Sequence, residues 1–146
     1  MQKTIHFKIV TPERVVFEDT IDEVIMPTVN GEIAVLPEHE PLVTLLKAGV
    51  LRIKKGATEI PLAVSSGVIE IDGKKIVVLA DSAERADELE EEKIEKAKEE
   101  AKHIMESKRG DSEGFAQANA ALERELARLK VVRKYRRSHG HSPTGG

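Results

Sequence analysis

The first part of the chain alternates between apolar and polar residues. Ile5, Phe7 and Ile9 are separated by polar neighbours, and the same period of two returns in several later segments. A period of two is typical of β-strands that bury one face. The later segments that share it are residues 51–53, 60–64 and 69–71. The chain up to about residue 80 is therefore predicted to form short, half-buried strands.

Turn-forming residues separate these predicted strands. Asn30-Gly31 and Asp72-Gly73 are dipeptides that adopt the positive φ angles of tight turns, and Lys55-Gly56 is a weaker example. Most of the six prolines fall near the ends of the apolar runs, where a missing N–H costs least. Many short strands with no helical stretch between them predict an antiparallel sandwich or barrel of about 85 residues.

The pattern changes at residue 81. Residues 81–109 contain no glycine or proline, are rich in Ala, Glu and Lys, and repeat apolar residues at steps of three to five. Asp81 or Ser82 is the predicted N-cap of a first helix, and Gly110 is its predicted end. The apolar stripe of this helix consists of Leu89, Ile94, Ala97, Ala101, Ile104 and Met105.

A second helix is predicted to start at Asp111 or Ser112. The short break after the first helix favours an antiparallel helical hairpin. Both stripes are narrow and rich in alanine, so the hairpin is expected to be held loosely and to detach at modest cost. Residues 138–146 show no pattern and are predicted to be a disordered tail. The apolar stripe of the second helix consists of Phe115, Ala118, Leu122, Leu126, Leu129 and Val132.

Charge is distributed unevenly along the 146 residues. The net charge is -3, but residues 110–146 carry seven basic against four acidic groups, while residues 1–86 carry ten against thirteen. The basic end is either a solvated helix face or a contact for an acidic protein surface, since complementary charge orients partners. Nucleic acid is a poor partner because aromatic residues make up only 3% of the chain. The basic residues in question are Arg124, Arg128, Lys130, Arg133, Lys134, Arg136 and Arg137.

Catalytic and metal-binding motifs are missing from the sequence. Ser65-Ser66-Gly67 lies in a strand-like region without the strand–turn–helix context of a nucleophilic serine, and there is no glycine-rich phosphate loop. The five histidines are scattered, and without cysteine there are no thiolates or disulfides. The longest apolar run is only a few residues, so neither a transmembrane helix nor a signal peptide is predicted. A non-enzymatic protein of a reducing compartment is expected.

Specific segments of this sequence resemble the motifs of a known protein family. The chain is similar to the ε subunit of bacterial F-type ATP synthase in collinear order over about residues 3–135, and its turns fall where the periodicity already places them. The family's signature region is matched by MPTVNGEIAVLPEHEPLVTLLKAGVLRI at residues 26–53. Shorter matches are SGVIEI at 66–71, VLAD at 78–81 and RGD at 109–111.

The resemblance implies an α+β fold, with an antiparallel ten-stranded β-sandwich followed by an antiparallel two-helix hairpin. The implied boundaries are residues 1–86 for the sandwich, 87–137 for the hairpin and 138–146 for the tail. Members of the family are non-catalytic rotor subunits on the central stalk, peripheral to the cytoplasmic face of the cell membrane. They contact the γ subunit and the c-ring and help to couple ion flow to ATP synthesis.

The resemblance also implies contact residues in the sandwich. Glu32, on the Asn30-Gly31-Glu32 turn, matches the family position that meets the polar loops of the c-ring; an ordinary solvated carboxylate is the alternative. His39 lies in a loop held by Pro37 and Pro41 and is a candidate for a subunit interface. A histidine that only hydrogen-bonds its own loop is the alternative there.

The helical hairpin of the family acts as a brake on ATP hydrolysis. Folded against the sandwich it permits rotation, and extended along γ it brings its basic second helix to an acidic loop of the catalytic β subunit, next to the α subunit. The residues implied here are Arg124, Arg128, Lys130, Arg133 and Lys134.

Some members of the family bind ATP between the two helices, which stabilises the folded-down position. No cofactor is required, and ATP is expected here at most as a weak regulatory ligand. The aligned motif departs from the family pattern at Glu90, Lys93 and Ile94, and lysine does not reproduce the fork of arginine. The candidate residues are Glu84, Glu90, Lys93, Arg124 and Arg128.

Two other function classes remain open on the sequence alone. A free-standing β-sandwich that binds a ligand would leave the helical extension unexplained, and an enzyme would lack an assembled site. Co-purification with a γ subunit separates the rotor subunit from both.

Overall fold

The computed structural model describes residues 3–139, with side chains described up to residue 134. Ten strands are followed by a 3₁₀ turn at Ala86–Glu88, helix α1 at Glu91–Ser107 and helix α2 at Ser112–His139. The strands are β1 (Ile5–Val10), β2 (Val15–Ile21), β3 (Glu23–Thr28), β4 (Gly31–Val35), β5 (Leu42–Leu46), β6 (Gly49–Lys55), β7 (Thr58–Val64), β8 (Gly67–Ile71), β9 (Lys75–Ala80) and β10 (Ala83–Arg85).

The ten strands form one strongly curved sheet in the order β10-β7-β6-β3-β5-β8-β9-β1-β2, with β4 paired to β3. Every pair is antiparallel except β1–β9, which is parallel and joins the first hairpin to the last one. At its far edge β2 curls back towards β6, where Asp22 N–H donates to the Lys54 carbonyl at 2.9 Å. The sheet thereby wraps around a single core, and the predicted sandwich of short strands is confirmed.

The core consists of the inward side chains of all ten strands. Ile5, Phe7 and Ile9 are at most 1% exposed, as their alternation predicts. Leu51 and Ile53 on β6 are fully buried by the same rule. Because a strand turns successive side chains to opposite faces, the sequence period alone identifies the buried set.

The predicted turns form where the dipeptides place them. Gly31 and Gly73 have φ angles of 110° and 94°, which favour glycine. In the β8–β9 hairpin the Asp72 carboxylate accepts hydrogen bonds from the backbone N–H groups of Lys74 and Lys75, at 3.1 and 2.9 Å. These two donors hold the pKa of Asp72 below its ordinary value.

The predicted start of the first helix is wrong. Asp81 and Ser82 do not cap a helix, because residues 83–85 form strand β10 and α1 begins only at Glu91. Ser82 N–H donates to Ser65 Oγ at 2.8 Å, and Ser65 N–H donates to the Ser82 carbonyl at 3.0 Å. These bonds to the end of β7 override the local helix propensity.

The hairpin of α1 and α2 is confirmed. Gly110 ends the first helix region with a φ of 92°, and Asp111 Oδ1 accepts a hydrogen bond from Gly114 N–H at 3.2 Å as the cap of α2. Helix α2 runs to His139, so residues 138 and 139, which the sequence assigns to the tail, are helical. The rest of that predicted tail lies outside the described residues.

Helix α2 buries two faces. One packs on α1, where Leu129 and Val132 meet Ile94. The other packs on the sandwich, where Ala127 and Val131 meet Ala63, Ala86 and their neighbours. The hairpin therefore lies folded against strands β6 and β7.

None of the helices within residues 3–139 combines the length and the apolarity that a membrane crossing requires.

Replacing Gly67 by alanine is expected to destabilise the sandwich. A Cβ atom at this position would overlap the Leu79 carbonyl oxygen, which belongs to the paired backbone of β9 and cannot swing away. We expect a loss of roughly 2 kcal/mol in the free energy of unfolding, measured by urea titration. The exposed neighbour Ser66→Ala is the control. Equal stability of both variants would contradict the close approach.

Candidate functional site

The contact between α2 and the sandwich contains several of the predicted site residues, among them Glu84, Arg128 and Lys134. Its apolar part is thin, because Ala63, Ala86 and Ala127 are small side chains that bury little surface. Ion pairs line the contact on both sides. Ion pairs therefore help to hold α2 in position, because the apolar contact by itself is small.

A cleft of about 320 Å³ opens between strand β10, the segment before α1, and the two helices. It brings together four of the five predicted nucleotide-site residues, which are Glu84, Glu90, Lys93 and Arg128. The fifth, Arg124, is not among the residues that line it. The cleft walls are completed by Glu88, Leu89, Ile94, Ala97 and Glu125.

Arg128 is held between two carboxylates. Its Nε donates to Glu84 Oε1 at 2.8 Å and its Nη1 donates to Glu125 Oε2 at 2.8 Å. Burial by itself lowers the pKa of Arg128, but the hydrogen bonds that Arg128 donates to Glu84 and Glu125 and the charges of both carboxylates outweigh it, so the pKa is raised. Because Glu84 is on β10 and Arg128 on α2, this cluster fastens the hairpin to the sandwich.

The other two cleft candidates lie at the solvent-exposed rim. Lys93 Nζ lies 3.4 Å from Glu90 Oε2, and these side chains are 78% and 69% exposed. A pair this exposed is a weak interaction. Ile94, in contrast, is 5% exposed and packs in the core between the helices.

The charge of the cleft is unfavourable for a polyphosphate. Among the residues that line the cleft, four are carboxylates (Glu84, Glu88, Glu90 and Glu125) and two are cations (Lys93 and Arg128). From outside the lining, Arg14 pairs with Glu88 and Arg124 with Glu125. Arg128 is already bound to two of those carboxylates. An incoming phosphate would have to displace them.

Glu125 is the functional residue that the sequence interpretation missed. It is 3% exposed, whereas Leu126, which was placed on the buried stripe, is 45% exposed. Steps of four, three and four residues lead along the helix from Ala118 to Leu122, then to position 125 and then to Leu129. That spacing could have identified Glu125 as a seam position. The pattern was assigned to the apolar neighbour instead.

The basic residues predicted to form the brake are mostly paired inside the chain. Arg133 Nη2 lies 2.7 Å from Glu95 on α1, and Lys134 Nζ lies 2.5 Å from Glu59 on β7. Among the side chains that the structure describes, Lys130 is exposed and forms no ion pair. The basic face is therefore largely neutralised in the folded-down position.

A short extended segment connects the sandwich to the hairpin. Leu89 and Glu90 have extended backbone angles between the 3₁₀ turn and α1. The turn before them is anchored, because Arg14 Nη2 lies 2.6 Å from Glu88 Oε2 and Arg85 Nη2 donates to the Val16 carbonyl at 2.7 Å. Rotation about Leu89 and Glu90 would move the hairpin while the sandwich stays intact.

Of the predicted interface residues of the sandwich, Glu32 lies at an exposed position and His39 at a half-buried one. Glu32 is the second residue of β4, beside the turn. Its side chain is 57% exposed, and its carboxylate lies 3.4 Å from Arg52 Nη2. His39 Nδ1 lies 2.7 Å from the carbonyl oxygen of Glu40, so this side chain contacts its own loop. Neither contact prevents a partner from reaching the exposed side of the residue.

An apolar patch covers the outer face of β5, β8 and β9. Leu45, Val68 and Leu79 are neighbours in register across these strands, and they are 53%, 36% and 52% exposed. Val43, next along on β5, is 69% exposed. Contiguous apolar surface of this kind marks a protein contact. We call these four residues the β5–β9 patch.

Comparison with known proteins identifies related sequences over most of the chain. The β-sandwich domain model of the ATP synthase delta/epsilon chain family matches residues 4–86, and its long α-helix domain model matches residues 87–133. The ATP synthase epsilon chain of Desulforamulus reducens is 45% identical and covers 90% of this chain and 99% of that one. The epsilon chain of Gloeobacter violaceus is 39% identical, with 88% and 96% covered.

A solved structure shares the fold. In the structure of the Euglena gracilis mitochondrial ATP synthase, comprising OSCP, F1 and c-ring, one chain superposes with a TM-score of 0.75 at 24% identity. The superposition covers 87% of this chain and 79% of that chain.

Docking of α2 is expected to weaken in acid because of Glu59. The hydrogen bond from Lys134 holds the pKa of Glu59 below its ordinary value. Its stabilisation is therefore complete above about pH 4.3, the ordinary glutamate value, and is lost as the pH falls through the lower folded-state pKa. Fluorescence energy transfer between labels on α2 and the sandwich, from pH 6 to pH 3, measures the docked fraction.

The Glu59→Gln variant is the matched comparison for this titration. We expect it to dock less well at pH 6 and to lose less docking below pH 4 than the unaltered chain. Identical pH profiles would show that the Glu59–Lys134 pair does not stabilise the docked hairpin.

Proposed function

We infer the function from one premise, which is that the chain belongs to the ATP synthase delta/epsilon chain family. It is accordingly an epsilon-type subunit of F-type ATP synthase, a non-catalytic part of the central stalk. The finer assignments below concern what its two halves contact and how the hairpin acts.

We propose that the hairpin is a brake on ATP hydrolysis whose released position is the one described here. The observation that carries this proposal is the internal pairing of its cations, with Arg128 on Glu84 and Lys134 on Glu59. Extension of the hairpin about Leu89 would break both pairs. The freed cations would then meet an acidic loop of the catalytic β subunit, beside the α subunit, and block rotation in the hydrolysis direction.

A moderate free-energy difference between the docked and the extended hairpin suits such a switch. The docked position is supported by a thin alanine interface and by partly exposed ion pairs, each of which is individually weak. A partner that binds only the extended hairpin can therefore shift the population with ordinary contact energies.

The β5–β9 patch is the proposed contact with the γ subunit. It lies on the outer face of the sheet, and the His39 loop leads directly into β5. The hairpin packs on β6 and β7, so the patch stays free in the folded-down position. Attachment to γ and movement of the hairpin can thus occur independently.

Glu32 is the proposed contact with the c-ring. Its carboxylate stands beside the β3–β4 turn, where a projecting basic side chain of a ring loop can reach it. The 3.4 Å distance to Arg52 Nη2 leaves more than half of the Glu32 side chain exposed. The proposed contacts to γ and to the ring would hold the subunit at the cytoplasmic face of the cell membrane as a peripheral component of the rotor. There it would help to couple ion flow to ATP synthesis.

ATP is proposed to be no more than a weak ligand of this subunit. The cleft that contains Glu84 and Arg128 carries an excess of carboxylates, and Lys93 stands exposed at its rim. A triphosphate would add negative charge to a site that already has too much. We therefore expect a dissociation constant in the millimolar range, about −4 kcal/mol of binding free energy.

Charge reversal on α2 is expected to relieve inhibition of ATP hydrolysis in the reconstituted enzyme. Reversing Arg124, Arg128 and Arg133 to glutamate removes the basic face but also breaks internal ion pairs. Lys130→Glu is the cleaner change, because this side chain has no ion pair in the described part of the chain. We expect roughly tenfold weaker inhibition for it, measured as ATPase rate against subunit concentration.

The matched control for Lys130→Glu is Lys96→Glu, the same charge reversal on the exposed surface of α1. It should inhibit like the unaltered subunit. If Lys130→Glu and the triple reversal both inhibit fully, the charge contact with the β subunit is wrong.

A charge in the β5–β9 patch is expected to abolish co-purification with γ. Val43→Asp places a carboxylate at the most exposed position of the patch, where docking would bury it without a partner. Native pull-down with γ and the catalytic hexamer measures retention. The control is Val15→Asp on β2, which is 49% exposed and outside the patch. Retention of both variants would contradict this interface.

A further inference from the structure

Glu125 is a charged residue on an apolar seam. It occupies the same face of α2 as Ala118, Leu122 and Leu129, and only 3% of it is exposed. A buried carboxylate is costly unless it is paired and hydrogen-bonded. Two arginines of its own helix supply that pairing, with Arg128 Nη1 at 2.8 Å and Arg124 Nε at 3.4 Å from its Oε2 atom.

The same arginines are the groups that would bind a phosphate. Arginine is suited to phosphate because its planar fork donates two parallel hydrogen bonds. Here Arg128 uses Nε for Glu84 and Nη1 for Glu125, and Arg124 directs its Nε at Glu125. Their strongest donors are therefore occupied by carboxylates of the chain itself.

Space does not limit access to this cleft. Its volume of about 320 Å³ is at the lower end of the range of small-molecule sites. What opposes an anion is the internal carboxylate beside Arg128. Glu125 thus occupies the electrostatic position that a phosphate group would take.

We propose that Glu125 is a specificity-determining residue: a built-in counter-anion that excludes polyphosphate ligands from the cleft and holds α2 on the sandwich without them. This inference rests on the function proposed above, since it concerns the hairpin in its folded-down position. The ligand class excluded is a nucleoside triphosphate or a free tripolyphosphate. The docked hairpin of this chain is accordingly independent of nucleotide.

The test is titration calorimetry of the full chain with ATP and, separately, with tripolyphosphate. Glu125→Gln keeps the shape of the side chain and removes its charge, so the Nη1 donor of Arg128 that Glu125 occupies becomes available to phosphate. We expect the variant to bind both ligands at least about tenfold more tightly than the unaltered chain, a change of about 1.4 kcal/mol. Glu125→Ala removes the same charge and is a second test variant.

Three controls make the result specific. Glu123→Gln removes an exposed carboxylate two residues away on the same helix and should leave both affinities unchanged. Glu125→Asp keeps the charge and should bind like the unaltered chain. In the double variant Glu125→Gln, Arg128→Ala the gain should disappear, because the phosphate partner is gone.

Hydrogen exchange provides a readout of the holding role. Backbone amides of α2 around residues 125–132 should exchange about tenfold faster in Glu125→Gln without ligand, and saturating ATP should restore their protection. Far-UV circular dichroism confirms that each variant is helical before it is compared.

Several outcomes would overturn the proposal. These are equal affinities of the unaltered chain and Glu125→Gln, micromolar ATP binding by the unaltered chain, a gain with ATP but not with tripolyphosphate, or a gain that survives Arg128→Ala. Micromolar ATP binding would also contradict the weak ATP binding proposed above. None of these outcomes bears on γ binding or on inhibition of hydrolysis, which are measured in the assembled enzyme. Failure here is therefore distinguishable from failure of the proposed brake and of the γ contact.

Discussion

The packing of helix α2 against strands β6 and β7 is the contact on which the functional arrangement depends. Its buried residues are three alanines and Val131, with Val50 and Leu89 partly buried beside them, so it contributes little hydrophobic stabilisation for its length. The sandwich needs no such contact, because its own ten strands enclose a complete core. The two halves of the molecule thus differ. The sandwich is stabilised by a large core of its own, whereas the hairpin is held on the sandwich by a narrow apolar strip and a few ion pairs.

Ion pairs supply the defined position of α2 that the narrow apolar strip alone cannot provide. The alanine strip offers few contacts that would fix the register of α2, whereas Arg128 contacts Glu84 and Glu125 at 2.8 Å each and so ties α2 to one position on the sandwich. A buried charge on a helix seam commonly specifies register at a cost in stability. In this chain the same charges give α2 a defined docked position, and the proposed brake requires that this position be reversible. The cations used for docking are also those proposed to act on the catalytic subunits, so the two uses exclude each other.

The interpretation of the sequence succeeded where a residue's environment follows from its own strand or turn. Phe7 and Leu51 are buried as their period predicts, and Gly73 has the turn conformation expected of Asp72-Gly73. It failed at residues 81–85, where hydrogen bonds from Ser65 and the end of β7 convert a segment of helical composition into a strand. It failed again at Glu125. A hydrophobic pattern predicts that only apolar residues are buried, and it cannot show that two arginines stabilise a buried carboxylate.

The sequence by itself therefore determined the sandwich, the hairpin, the family and the location of the basic end, since periodicity, turn chemistry and motif are local properties of the chain. Only the tertiary structure decided where the hairpin rests and which carboxylates its cations meet. Those pairs join residues far apart in sequence, such as Glu59 with Lys134 and Glu84 with Arg128. Their formation depends on how α2 lies across β7 and β10, and that geometry is a property of the packed molecule.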